Sequence, residues 1–354
     1  EMTSSLVGSE MCIRDRLILG IIVLAMLNLA VGSVAIPVNA VLTILNPFSD
    51  KALQGANAEV WTNIIIYTRL PQTITAIACG AGLSVAGLEM QTVFRNPLAG
   101  PSVLGISSAA SLGVAFVVLL SGAIGGTALS SFGIIGNTAI TIAAIFGAML
   151  VMSLIVFLSH KVEGNVTLLI TGVLIGYIAT AIIGVLKYFS SEEDIRAYVI
   201  WGLGSFSRVT GGQVYVFTGL TAFLLPFVML LAKPLNILLL GDLYATNLGL
   251  NVKRARMLTI ASAGTLTAIV TAYCGPIMFL GLAVPHICRG LFNTTDHNIL
   301  LPANVLCGAA LALLCNFIAR MPGFEGALPI NSVTSLIGAP IALSILLKKK
   351  RNLI

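Results

Sequence analysis

The chain has 354 residues, of which 57% are hydrophobic and only 9% charged, against about 25% charged residues in an ordinary soluble domain. A mean hydropathy of +1.02 excludes a water-soluble globule, because too little polar surface exists to cover the apolar interior. The net charge of +6 does not point to nucleic acid, since the lysines and arginines flank apolar stretches, as in the cytoplasmic loops of membrane proteins.

The first sixteen residues, EMTSSLVGSEMCIRDR, place no basic region ahead of an apolar stretch and carry no cleavage site. They do not read as a signal peptide. We set 1–16 aside as a non-native or disordered stretch and treat 17–354 as one transmembrane domain. A crossing helix needs about 20 mostly apolar residues. Ten segments qualify or nearly qualify: 17–37, 71–93, 103–121, 136–158, 167–188, 213–232, 257–275, 277–292, 300–319 and 330–347. The expected fold class is all-α, a polytopic membrane protein with about ten transmembrane helices. Segments 41–68, 189–212 and 321–329 are expected as loops or short surface helices.

With both termini inside, thirteen lysines and arginines face the cytoplasm and six face out. The inverted topology reverses that ratio and is disfavoured. The piece KPLNILLLGDLYATNLGLNVKRAR at 233–256 then lies in the cytoplasm between spans six and seven. In it, LNILLL is an apolar helical stretch, Gly241 a break, and Asp242 a candidate cap for the next helix. Gly249 stands where a terminating glycine belongs. Taken alone, the piece fits a helix lying on lipid as well as one lying on a protein.

No glycine precedes a lysine anywhere, so a P-loop is absent, and no H-E-x-x-H or G-x-S-x-G occurs. The six cysteines form no C-x-x-C pair, and the five in apolar segments read as small core residues. No catalytic residue and no metal site is expected. A proton- or sodium-coupled carrier usually keeps ionisable groups within its spans. Glu89 alone qualifies, and we read it as reaching toward cytoplasmic water.

Four ordered blocks carry a resemblance. They are RLPQTITAIACGAGLSVAGLEMQTVFRNPLAGPSVLGISSAASLG (69–113), LNILLLGDLYATNLGLNVKRAR (235–256), GPIMFLGLAVPHICRGLFNTTDHNILLPANVLCGAALALLCNFIAR (275–320) and LPINSVTSLIGAPIALSILLKKK (328–350). Together they resemble the FecCD-type permeases, membrane subunits of type II ABC importers for iron–siderophore, haem and vitamin B12. The resemblance runs from about residue 17 to the C-terminus and implies a fold like that of the vitamin B12 importer permease.

It also implies partners: a second permease subunit, two ATPase subunits and an extracytoplasmic substrate-binding protein, in the cytoplasmic membrane of a prokaryote. It implies no cofactor on this chain, with ATP and Mg held by the ATPase. Segment 235–250 is implied as two short helices docked into the ATPase, with Leu235, Leu238, Gly241, Asp242, Ala245, Leu248 and Gly249 as coupling residues. Asn96, Pro97 and Leu98 are implied at the cytoplasmic gate, with Asn165 and Val166 in the matching loop. Gly172 and Gly176 are implied as lining the pathway. Arg69 and Arg320 match arginines that pair with glutamates of the binding protein, while Gln72 replaces a second arginine common beside the first. His286 is expected to be structural. The expected cargo is an iron chelate, ferric siderophore or haem. The alternatives are vitamin B12 or an oxyanion, or a stand-alone secondary carrier.

Overall fold

The computed structural model describes residues 2–46, 57–123, 133–161, 164–321 and 327–351. Among them every regular element is helical. The first half contains α1 (Met2–Ala30), α2 (Val38–Leu45), α3 (Ala58–Ile64), α4 (Leu70–Val93), α5 (Ile106–Ala123), α6 (Gly133–Lys161) and α7 (Asn165–Tyr188). The second contains α8 (Glu192–Gly202), α9 (Gly212–Met229), α10 (Ala232–Leu239), α11 (Asp242–Asn247), α12 (Val252–Cys274), α13 (Leu280–Phe292), α14 (His297–Ala319) and α15 (Ile330–Arg351).

Six helical runs among the described residues are long and apolar enough to cross a membrane, and shorter apolar helices at Ile106–Leu120, Leu280–Phe292 and Ile330–Ser344 fill the third, eighth and tenth expected spans. The first expected span lies in α1. All ten expected spans are therefore helical, with corrected ends. The first stops at Ala30 instead of residue 37. Residues 2–16, set aside from the sequence, continue that helix in their backbone. The second begins far earlier than residue 71, because α3 and α4 join through a π-turn at Ile65–Arg69 into one run, Ala58–Val93. Pro71 explains the misreading. Its ring removes an N–H and invites a helix start, but here a π-turn just before it absorbs the defect. Of the expected loop 321–329, residues 322–326 lie outside the described residues.

The core is built around α4: 89% of the residues in the apolar stretch of its run are buried, against 28% in that of α7. Close approach explains the glycine content. A Cβ at Gly80 would lie 2.1 Å from the Gly308 carbonyl oxygen on α14, and one at Gly87 would lie 1.7 Å from that of Gly281 on α13. Small residues let membrane helices approach to backbone contact, where dispersion replaces the hydrophobic effect as the source of cohesion. A buried amide ladder adds direction. Gln72 donates to Asn316 at 3.0 Å, Asn316 to Asn28 at 2.8 Å, and Asn28 to the Leu313 carbonyl at 3.0 Å, joining α4, α14 and α1. Gln72 is thus an interior strut and not a weakened docking residue.

Candidate functional site

The segment between α9 and α12 folds into two short helices. They break at Gly241, whose φ of 108° is open to glycine and strained for other residues. α11 ends in a Schellman motif. The Gly249 N–H donates to the Thr246 carbonyl at 2.9 Å and the Leu250 N–H to that of Ala245 at 3.0 Å, with Gly249 at φ 82°.

The apolar side chains divide between two directions. Leu235, Leu238 and Ala245 are buried within the chain's own core, while Leu239, Leu240, Leu243, Tyr244 and Leu248 are exposed, Leu243 at 83%. This corrects the expectation for Leu235, Leu238 and Ala245, which cannot offer side chains to a partner. Leu248 can, beside four residues that the sequence reading passed over.

Asp242 is also corrected. It does not cap α11, because Gly241 occupies the cap position and Asp242 is already the first helical residue. Its carboxylate instead accepts from Arg95 Nη2 at 2.5 Å and from Arg256 Nη2 at 2.9 Å. The inner end of α10 is held separately. Asn236 donates to Asp296 at 2.6 Å and accepts the His297 backbone N–H at 2.8 Å. With the Asn236 amide so oriented, its oxygen can only accept from His297 Nδ1, 2.7 Å away. His297 Nε2 meets Thr92 on α4 at 2.8 Å. The Asp296 carboxyl is pushed up by partial burial, but hydrogen bonds from Asn298 and Asn236 outweigh this and hold it below the usual range.

The loop after α4 is compact. Asn96 Oδ1 accepts the Leu98 N–H at 2.9 Å, and the Asn96 carbonyl accepts the Ala99 N–H at 3.0 Å. His286 Nε2 donates to the Pro97 carbonyl at 2.8 Å, a structural role as expected. Leu98 is exposed. Val166 is exposed at the start of α7. Gly164, just before α7, lines a cleft of about 950 Å³ together with Asp242, Leu243, Gly249, Lys253 and Arg256. The two expected gate loops therefore both lie beside α11. Of Asn165, the structure describes the backbone, the first residue of α7.

Other expectations are corrected. A Cβ at Gly172 would lie 2.8 Å from Leu104 Cα, and one at Gly176 would lie 3.5 Å from Gly105 Cα. These glycines admit the turn before α5 and do not line an open path. Glu89 is fully buried. It accepts from Ser262 on α12, and among the described residues its second oxygen has no hydrogen-bond partner; the carboxyl does not reach water, because α12 covers it. Arg69 is 1% exposed. It donates to the carbonyls of Leu29 at 2.6 Å and Ala30 at 2.9 Å, and to that of Val34. It closes the C-terminal end of α1 and is not a free surface charge. Arg320 lies beside it, since both guanidinium groups flank Gly32. Among the described residues Arg320 Nη1 has no hydrogen-bond partner, and burial lowers the pKa of the group.

A model of the FecCD transport family matches residues 20–348. The chain belongs to that family. Among its relatives is the "Vitamin B12 import system permease protein BtuC" of Escherichia coli O9:H4 (strain HS), 35% identical over 283 residues, which are 80% of this chain and 83% of the relative. The protein of the same name from Klebsiella pneumoniae subsp. pneumoniae is 36% identical over 282 residues, 80% of this chain and 82% of that one. Among solved structures, "An inward-facing conformation of a putative metal-chelate type ABC transporter" matches with a TM-score of 0.78 and 27% identity, covering 95% of this chain and 99% of the other. A chain of PsaBC from Streptococcus pneumoniae in complex with Fab shares the fold at a TM-score of 0.54 and 19% identity, over 81% of this chain and 94% of that one. This FecCD chain is thus a multi-pass membrane protein and the permease subunit of a type II ABC importer, which sets the stand-alone carrier aside.

Within the FecCD blocks the sequence reading missed Arg95, Asn236, Leu240, Leu243, Tyr244, Arg256 and His297. Helical spacing already separates 235 and 238 from 240 on α10, but it stops at the Gly241 break and cannot be carried on to 243 and 244. It does not say which set faces the bundle.

Proposed function

We propose that this permease works with a separate ATPase subunit that docks on the exposed face of α10 and α11, and that it carries a metal ion already enclosed in an organic ligand. The observation that supports the first part is the group of Leu240, Leu243, Tyr244 and Leu248, left exposed on a segment whose Leu235, Leu238 and Ala245 are buried. Contiguous exposed apolar side chains at a helix turn fit a protein groove. On this reading both termini and α10–α11 are cytoplasmic, a second permease subunit completes the translocation path, and Arg320 at the opposite end meets an extracytoplasmic binding protein.

Our first reading of the cargo is an iron chelate, a ferric siderophore or haem. Vitamin B12 is the second reading, supported by the names of the relatives at 35–36% identity. Two measurements test the proposal. Leu243→Asp should abolish co-purification with the cognate ATPase while leaving the thermal midpoint unchanged; retained co-purification defeats the docking face. ATP hydrolysis by the assembled complex, with binding protein and either a ferric hydroxamate, haem or cyanocobalamin, should rise with an iron chelate. Stimulation by cyanocobalamin alone replaces the first cargo with the second.

A further inference from the structure

Asp242 is bonded to two arginines that belong to different parts of the machine. Arg256 stands in the second turn of α12, a helix 78% buried in its apolar stretch. Its side chain is 16% exposed, against 40% for Arg95. Arg256 is therefore the fixed arm. Arg95 is the first residue beyond Phe94, the C-cap of α4, and immediately precedes Asn96, Pro97 and Leu98. Its backbone lies at φ 47°, outside a helix and outside a strand. It closes α4 there: the Arg95 N–H donates to the Thr92 carbonyl and the Asn96 N–H to that of Gln91, both at 3.2 Å.

The loop that Arg95 leads is internally tied. The Asn96 side chain and carbonyl both accept from residues inside it, and its attachment to α13 is the hydrogen bond from His286 to the Pro97 carbonyl. Such a loop is one tied unit, hinged on α4 through the N–H groups of Arg95 and Asn96, which donate to the carbonyls of Thr92 and Gln91. The ion pair between Arg95 and Asp242 spans 147 residues of sequence and joins this unit to the first residue of α11. The 950 Å³ cleft bordered by Asp242, Leu243, Thr246 and Arg256 leaves open space beside α11.

We propose that Asp242 is the positioning residue through which displacement of α10–α11 is passed to the loop 95–98, with Arg95 as the receiving arm and Arg256 as the fixed one. The inference rests on the docking of an ATPase at α10–α11. A charge-assisted bond fixes direction as well as distance. An exposed pair adds little to stability, so it can shift with its helix without unfolding either end.

The test follows the loop and requires no knowledge of the cargo. Cys12 is the exposed cysteine among six, the other five being buried. In a Cys12→Ser background, Leu98→Cys places a thiol on the loop. Its labelling rate by a maleimide is measured in the purified complex with the ATPase, with and without ATP plus vanadate. We expect a nucleotide-dependent change of about threefold or more with Arg95 present, its loss in Arg95→Gln, and its return in Arg95→Lys. The Gln variant should still co-purify with the ATPase. A merely structural pair predicts an unchanged nucleotide response in Arg95→Gln, which would overturn the proposal. No nucleotide response in the Arg95 background overturns it as well, as does a Lys variant that behaves like Gln. Loss of ATPase from Arg95→Gln alone would assign the pair to docking and also overturn it. Failure of the unaltered chain to hold the ATPase would bring down the docking reading itself, and the relay with it.

Discussion

Two arginines bracket α4 and are used in opposite ways. Arg69 precedes the first residue of the helix, Leu70, and Arg95 follows its C-cap, Phe94. Arg69 is 1% exposed and is spent on main-chain carbonyls of Leu29, Ala30 and Val34. Arg95 is exposed over 40% of its side chain and meets a single carboxylate, on a segment far along the chain. Several carbonyl acceptors converging on one guanidinium over-determine its position and lock two helices together. One carboxylate at a surface leaves a hinge. The same residue type therefore marks the fixed end of the core helix and its adjustable end.

The contrast breaks first, and most visibly, at Arg69. Arg69→Ala takes the guanidinium away from three carbonyls, of which that of Ala30 keeps the Ile36 N–H, and leaves a void in the interior, a loss of about 3 kcal/mol. Arg95→Ala should cost no more than about 0.5 kcal/mol. Thermal unfolding in detergent compares the two, and equal midpoints would erase the distinction. Because Arg69 is structural, its loss should lower yield and assembly together instead of docking alone.

The adjustable end is sharpened by Gly241→Val. A β-branched residue at φ 108° is strained by about 2 kcal/mol, and the chain relieves this by changing the turn between α10 and α11. Normal membrane insertion with loss of cargo-stimulated hydrolysis is expected. Wild-type ATPase association and stimulation would show that the shape of this turn is immaterial.

A small effect on stability is also expected at Arg320, which is half-buried beside Arg69 and, among the described residues, partly unbonded. Arg320→Glu should change stability by less than about 1 kcal/mol yet weaken capture of the binding protein. Screening shortens the reach of surface charge as salt rises, so the deficit should shrink at high ionic strength. An affinity equal to wild type at every salt concentration would remove Arg320 from the docking surface.

The apolar runs, the membrane class and the glycine punctuation at 241 and 249 follow from the sequence alone, because run length, hydropathy and the steric freedom of glycine are local properties. The ordered blocks from 69 to 350 likewise carry the family. Which way each helix turns its faces is not local. Spacing relates Leu235 to Leu238 but does not say that both point into the bundle while Leu240 and Leu243 point away. Nor does it say that Gly172 is filled by the Leu104 backbone, or that Gln72 and Asn28 meet through Asn316. Rotation of a helix about its axis is decided by contacts hundreds of residues away, such as the one between Asn316 and Asn28, 288 positions apart. For the same reason the charge of an arginine is legible in sequence, but its use is not. Only the packed bundle decided that Arg69 would be buried against carbonyls and that Arg95 would stay exposed, facing Asp242.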